Sequence, residues 1–203
     1  MEITQKIEKL KSFARENHIP IVRNQTIKKI CEIIREEGYT NILEIGTAIG
    51  YSGIIMLNQN PLIKLTTIEK NEKCIIEAKN NFKDVGLSSR VRLIEGDAQE
   101  KLEKLKEENC KFDFIFLDGP KGQYYKYLPN LKCMLSEGGT IFTDNILLGG
   151  LLHSPEKVTH KNRAMYNNMN KFLSMLNSDS DFITEIYEID DGFTISKLKK
   201  SAE

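Results

Sequence analysis

The sequence predicts an α/β fold of three layers, with helices on both faces of a seven-stranded, mostly parallel sheet. Three observations predict it. The 203 residues fit one domain, at about 150 residues per domain. Short β-rich runs alternate with longer helical patterns, as in consecutive βαβ units. Near the end, two β-rich runs flank Asp190-Asp191-Gly192, a hairpin signal because glycine accepts the positive φ of a tight turn.

The elements follow in order. Amphipathic patterns over about 3 to 16 and 24 to 37 predict two leading helices,. Five β-rich runs come next: Asn41 to Ile45, Leu65 to Glu69, Val91 to Glu95, Phe112 to Leu117 and Thr140 to Thr143. Each is apolar at both alternating sets of positions, as strands covered on two faces should be. Helical patterns over about 49 to 58, 71 to 85, 98 to 107 and 122 to 134 separate them. Phe182 to Glu188 and Phe193 to Leu198 form the closing antiparallel hairpin. The expected organisation is a single domain over 1–203, with a helical cap over 1–38 and an α/β core over 39–203.

Composition narrows the function. Lys plus Arg and Asp plus Glu both number 29, which excludes a globally basic nucleic-acid binder but not a local basic patch. The longest strongly apolar stretch, Ile146 to Leu152, holds two glycines and cannot span a bilayer,. The first twenty residues interleave Glu2, Lys6, Glu8, Lys9, Lys11, Arg15 and Glu16 with apolar positions, unlike a signal peptide,. A cytoplasmic protein is expected. Cys31, Cys74, Cys110 and Cys133 show no CxxC pairing, and His18, His153 and His160 no metal-ligand spacing. Reduced, mostly buried thiols and non-catalytic histidines are expected.

The first β-run leads into Glu44-Ile45-Gly46-Thr47-Ala48-Ile49-Gly50-Tyr51-Ser52. Ligands of open α/β sheets sit beyond the carboxyl ends of the strands, so this turn is a candidate cradle. Gly46 lets the backbone approach a ligand, and Gly50 permits tight entry into the next helix. The pattern is E-x-G-x-x-x-G, whereas a dinucleotide site uses G-x-G-x-x-G to lay a pyrophosphate on a helix N-terminus. S-adenosylmethionine (SAM) carries no pyrophosphate, so an acid at the turn is compatible with it. Glu69 closes the second run, placed to accept ribose hydroxyls, and Gly96-Asp97-Ala98-Gln99 closes the third, where an acid and backbone amides can read adenine. Each also occurs in ordinary turns; three at successive strand ends point to SAM.

The fourth run delivers Asp118-Gly119-Pro120-Lys121 and the fifth Asp144-Asn145. Two carboxylates and an amide oxygen are hard donors that suit Mg²⁺. Taken singly, Asp118 also reads as a helix cap and Asp144 as a loop acid. Lys121, three residues past Asp118, reads either as a surface lysine or as a general base whose ammonium gives up its proton more easily beside a cation.

The stretches LEIGTAIGYS, DGPKGQYYKY and TDNILLGG resemble the cation-dependent O-methyltransferases, the family of catechol and caffeoyl-CoA methyltransferases, over nearly the whole chain. Within it they are most similar to the bacterial tRNA 5-hydroxyuridine methyltransferases, which make 5-methoxyuridine at the wobble position. The resemblance implies a Rossmann-like SAM-dependent methyltransferase fold, Mg²⁺ on Asp118, Asp144 and Asn145, and Lys121 as base. It also implies a SAM pocket lined by Val22, Glu44, Gly46, Ser52, Glu69, Asp97, Ala98 and Asp118, and a homodimer. Gly119-Pro120 stands where catechol enzymes carry bulkier aromatic residues, which removes stacking surface.

From Lys157 to Ser178 the chain carries Lys157, Lys161, Arg163 and Lys171 and no acid. Lys161 and Arg163 are the candidate contacts to tRNA phosphates, and Tyr124, Tyr125, Tyr127 and Tyr166 candidate stacking faces for an unpaired base. Met165, Met169, Phe172 and Leu176 form a helical stripe in the same segment, so it is first an amphipathic helix,. The leading expectation is methylation of the 5-hydroxyl of tRNA 5-hydroxyuridine. The alternatives are a catechol-like or phenolic small-molecule acceptor, and a SAM-binding scaffold without turnover. A nicotinamide dehydrogenase fits less well, because Glu44 replaces the first glycine of its fingerprint.

Overall fold

A computed structural model of the chain describes residues 2–200. The ends of the expected domain, Met1 and 201–203, lie outside the described residues. Seven strands, β1 (Asn41–Ile45), β2 (Lys64–Glu69), β3 (Val91–Glu95), β4 (Phe112–Leu117), β5 (Leu135–Asp144), β6 (Phe182–Tyr187) and β7 (Phe193–Leu198), follow the order β3-β2-β1-β4-β5-β7-β6. The helices are α1 (Ile3–Glu16), α2 (Asn24–Glu37), α3 (Tyr51–Leu57), α4 (Glu72–Asp84), α5 (Ala98–Glu107), α6 (Tyr124–Met134) and α7 (Arg163–Ser178). This is the expected Rossmann-like α/β architecture. Two compact units, Met1–Lys101 and Leu102–Glu203, are distinguished, with the division inside α5.

In the first unit β1, β2 and β3 pair in parallel, with Leu43 opposite Thr66 and Thr67 opposite Leu93. The helices bury the faces that their periodicity marks. α1 buries Lys6, Leu10 and Ala14, one turn apart, and Lys6 keeps its charge satisfied on Asp84 at 2.8 Å. α2 buries Ile27, Ile30, Cys31, Ile33 and Ile34 and stops at Gly38, whose φ of 68° supplies the left-handed cap,. α4 starts on the Asn71 side chain, which accepts from the backbone N–H groups of Lys73 and Cys74,. β3 departs from the expected two-sided burial: Arg92 and Glu95 are exposed, because this strand pairs on one side only, at the end of the order.

In the second unit β4 and β5 are parallel, and β5, β7 and β6 antiparallel. β5 begins at Leu135, five residues before the expected start. The register with β4 shifts between Phe112 and Phe114, and Gly138 there has φ 72°, which breaks the alternation that sequence patterns detect,. Phe142 is the aromatic hub, stacked on Phe193 at 4.8 Å, edge-on to Phe116 at 6.0 Å and tilted against Phe114 at 6.4 Å. The α7 stripe buries Met169, Phe172 and Leu176, while Met165 is half-buried. Lys132 of α6 binds Asp179 and Asp181 just before β6.

All four thiols are free, but only Cys31 is buried: Cys74, in the first turn of α4, and Cys110, in the loop before β4, are half-buried, and Cys133, near the end of α6, is exposed. Among the described residues no helix is long and apolar enough to cross a membrane.

Gly53 of α3 has no room for a side chain. A Cβ there would stand 2.8 Å from Leu65 Cδ2 and 3.0 Å from Phe82 Cζ. Although alanine is the better helix former, Gly53→Ala is expected to lower stability by about 1–3 kcal/mol through overpacking, read as a reduced unfolding midpoint in urea.

Candidate active site

In the first unit the β1–α3 turn is built around a buried acid. Glu44 is fully buried, and its two carboxylate oxygens accept from Ser52 Oγ at 2.5 Å and Thr67 Oγ1 at 2.7 Å. Thr47 Oγ1 lies 2.5 Å from Thr67 Oγ1 and extends the chain. Three positive φ values make the turn: 103° at Gly46, 45° at Ala48 and 81° at Gly50. A Cβ on Gly50 would press on the Phe82 ring at 3.1 Å, so that position needs glycine on two counts,. Asn81 of α4, buried, donates from Nδ2 to the Ile49 carbonyl at 2.8 Å and pins the turn from outside.

Glu69 ends β2 beside this turn. Its Oε2 accepts from the Ala48 N–H at 3.0 Å, and its Oε1 from those of Lys70 and Asn71, both at 2.9 Å. The carboxylate is therefore oriented by backbone and half-exposed, with lone pairs left for further donors,. Asp97 is exposed, and its Oδ1 accepts from Gln99 N–H at 2.9 Å at the start of α5; Ala98 is buried. Gly96 ahead of it has φ 133°. Val22 is buried in the connector between α1 and α2. The expected residues Glu44, Gly46, Ser52 and Glu69 thus gather at one turn, joined by Thr47, Thr67 and Asn81, which sequence reading did not single out. The detectable signal for Asn81 was an amide on the apolar face of α4.

The second unit holds the carboxylates. Asp118 follows β4 and Asp144 ends β5, on paired parallel strands. Asp144 is 1% exposed. Burial and the nearby charge of Asp118 push its carboxyl up to about 7, against the pull of the Asn145 N–H and Lys121. Burial also raises the Asp118 carboxyl above its ordinary value, although the Lys121 ammonium lies on its Oδ1 at 2.8 Å. Asn145 stands at φ 58°, a conformation asparagine tolerates, and its N–H donates to Asp144 Oδ1 at 2.8 Å,. Two acids that disfavour each other's charge in a dry setting, beside an amide residue, are a donor set that a divalent cation would satisfy. Among the described residues no cluster of three or more His, Cys, Asp or Glu is placed to hold a metal. The expected set has only two such side chains, and water can complete an octahedral ion.

Neighbouring elements brace these acids. The loop after Asp144 is held by the β6–β7 turn: Ile146 N–H reaches the Gly192 carbonyl, Leu147 N–H the Asp191 carbonyl, and Gly149 N–H Asp191 Oδ1 at 2.7 Å. Gly192 therefore does more than turn the hairpin, since a Cβ there would meet Leu147 Cγ at 2.4 Å. Lys121 sits on a 3-10 turn over Lys121–Gln123, and Asn168 Nδ2 of α7 donates to the Gly122 carbonyl at 3.0 Å. Asn168, like Asp191, was not among the expected site residues.

The expected stacking faces divide. Tyr124 and Tyr127 are fully buried and cannot stack on a base; both point inward because α6 packs that face on the core. Tyr125 and Tyr166 are half-buried. The Tyr125 ring lies under Lys171 Nζ at 4.5 Å and near Lys126 Nζ at 5.9 Å. Lys157, Lys161, Arg163 and Lys171 are exposed. His153 is exposed and lies 3.4 Å from Glu188.

The chain is 37% identical over 112 residues to a catechol O-methyltransferase of Niastella koreensis, covering 54% of this chain and 51% of that one. It spans about half the length of that curated relative. A Staphylococcus aureus crystal structure provisionally named a caffeoyl-CoA O-methyltransferase superimposes with a TM-score of 0.88 at 36% identity, covering 95% of this chain and 91% of the other. The O-methyltransferase TomG of Streptomyces achromogenes, solved with SAM, superimposes with a TM-score of 0.84 at 25% identity, covering 96% and 89%. A family profile described as O-methyltransferase matches residues 5–199, and the chain belongs to the O-methyltransferase family.

Proposed function

We propose that the protein is a SAM-dependent, Mg²⁺-assisted O-methyltransferase. Its acceptor in this reading is the 5-hydroxyl of 5-hydroxyuridine at the tRNA wobble position, giving 5-methoxyuridine. The observation that carries the reading is the pairing of buried Asp144 with half-buried Asp118 at neighbouring strand ends, with Lys121 on Asp118, in a chain of this family. The SAM-bound relative supports the donor, with Glu69, Asp97 and the turn from Glu44 to Ser52 as its residues.

Mg²⁺ held by Asp118, Asp144 and Asn145 would supply Lewis acidity that favours the ionised acceptor hydroxyl. The residues themselves do the rest. Asp144 keeps its orientation through the Asn145 N–H. Lys121, three residues after Asp118, is the group that takes the acceptor proton, once its amine is neutral. The 4- and 5-oxygens of 5-hydroxyuracil are vicinal, as are the two oxygens of a catechol, so the chemistry accepts both. Gly119 and Pro120 beside Asp118 offer no aromatic surface, and exposed Lys161, Arg163 and Lys171 with half-buried Tyr125 provide phosphate and stacking contacts; these favour RNA. A small phenolic acceptor is the second reading, favoured by the catechol O-methyltransferase relative.

Two predictions follow from the site. In a strain lacking the gene, bulk tRNA should lose 5-methoxyuridine and accumulate 5-hydroxyuridine. Wild-type protein should restore it, whereas Asp144→Ala and Lys121→Ala, though folded, should transfer methyl at least about 100-fold more slowly. Unchanged tRNA alongside rapid methylation of catechol by the purified protein would establish the second reading. Undiminished turnover by either variant would remove the assigned roles.

The second concerns pH without divalent cation. A carboxyl raised from 3.8 to about 7 in the fold contributes stability that is complete below about pH 4 and lost as pH rises through about 7. In EDTA, thermal unfolding should therefore show a penalty of roughly 2–4 kcal/mol developing between those limits. Asp144→Asn should flatten the curve, and Mg²⁺ should lift its neutral-pH end. A wild-type curve that is the same with EDTA and with saturating Mg²⁺ would argue against the ion site.

A further inference from the structure

Tyr124, the first residue of α6, is fully buried. Its ring meets Phe172 of α7 edge-on, with centroids 5.5 Å apart and planes at 69°. Packing alone would be served as well by phenylalanine, and a buried hydroxyl is costly unless it finds partners. This one has two, both backbone carbonyls: Gly119 at 3.3 Å and Asp144 at 3.5 Å. Gly119 follows Asp118, so one proton is shared between the two segments that carry the acids.

That location has a physical consequence. Two carboxylates that disfavour each other's charge push their strand ends apart, and among neighbouring groups the hydroxyl bridges both backbones directly. We infer that Tyr124 is a positioning residue: its hydroxyl holds the Asp118 and Asp144 segments at the spacing a divalent cation requires, while Phe172 fixes the ring that aims it. The inference rests on the proposed metal site. Tyr124 touches neither donor nor acceptor in this role and acts only through the backbone of the two acids.

The test uses full-length protein and Mn²⁺, whose free form gives a paramagnetic resonance signal that bound ion loses. Tyr124→Phe keeps the ring and removes the hydroxyl. Loss of one shared hydrogen bond predicts a Mn²⁺ dissociation constant raised about 3- to 10-fold. SAM affinity by calorimetry should stay within about twofold of wild type, and kcat should fall without a matching rise in KM for SAM. Phe172→Leu, which retains the hydroxyl but frees the ring, should weaken Mn²⁺ binding to a smaller extent. Mn²⁺ affinity unchanged in Tyr124→Phe, or Mn²⁺ and SAM affinities falling together, would overturn the positioning role. Should Tyr124→Phe fail to fold, wild-type Mn²⁺ affinity in Phe172→Leu overturns it instead. Wild-type protein that binds no Mn²⁺ removes the metal site itself, a result distinct from either of these.

Discussion

The constraint on which the second unit turns is the closeness of two like charges at adjacent strand ends, Asp144 buried and Asp118 half-buried. Asp144 ends β5 opposite Phe193 of β7, 1% exposed, with the Asn145 N–H on its Oδ1. The fold places Asp118 just past the end of the next parallel strand, and its charge pushes the Asp144 carboxyl up further. A protein selected for stability alone would put neutral or apolar residues there. Keeping the acids stores a need for positive charge, met in part by the Lys121 ammonium on Asp118. The bracing around them, from the 191–192 turn, Tyr124 and Asn168, is what such a destabilised pair requires to stay in place.

The first unit handles a buried acid the opposite way. Glu44 is as buried as Asp144, yet hydroxyls of Ser52 and Thr67 reach both of its oxygens. Its charge is spread over neutral donors, and the result is a rigid turn. Glu69 is likewise held by three backbone N–H groups. Preorganised groups of this kind lose little entropy on meeting a ligand, which suits the cofactor role proposed for this turn.

α7 illustrates how one helix can carry two duties. Its apolar stripe packs Met169, Phe172 and Leu176 into the core, and Asn168 on the flank holds the turn that bears Lys121. The opposite face is basic and exposed, with Lys171 over Tyr125. An acceptor bound to that face would lie on the helix that supports the proposed base, so substrate contact and base placement share a rigid element.

Most of the fold and part of the site are legible in the sequence. Hydrophobic periodicity determined the strands and helices almost to the residue, because each element buries the face its local pattern marks. Strand-end position likewise marked Glu69, Asp118, Asp144 and Asn145 as candidates, and the fold sets Asp118, Asp144 and Asn145 at or just past the ends of paired parallel strands. The exceptions share a cause. β5 begins early because a bulge hides its first half from period-two reading, and β3 is half exposed because its place in the strand order is not a local property. Tyr124 and Tyr127 read as stacking surface, yet the packing of α6 turned them inward. Only the tertiary structure decided that Asn81, Tyr124, Asn168 and Asp191 brace the site, since each has a backbone partner at least 20 residues away in sequence. A side chain's residue type announces what it can donate or accept; where its partner lies is settled when the chain folds.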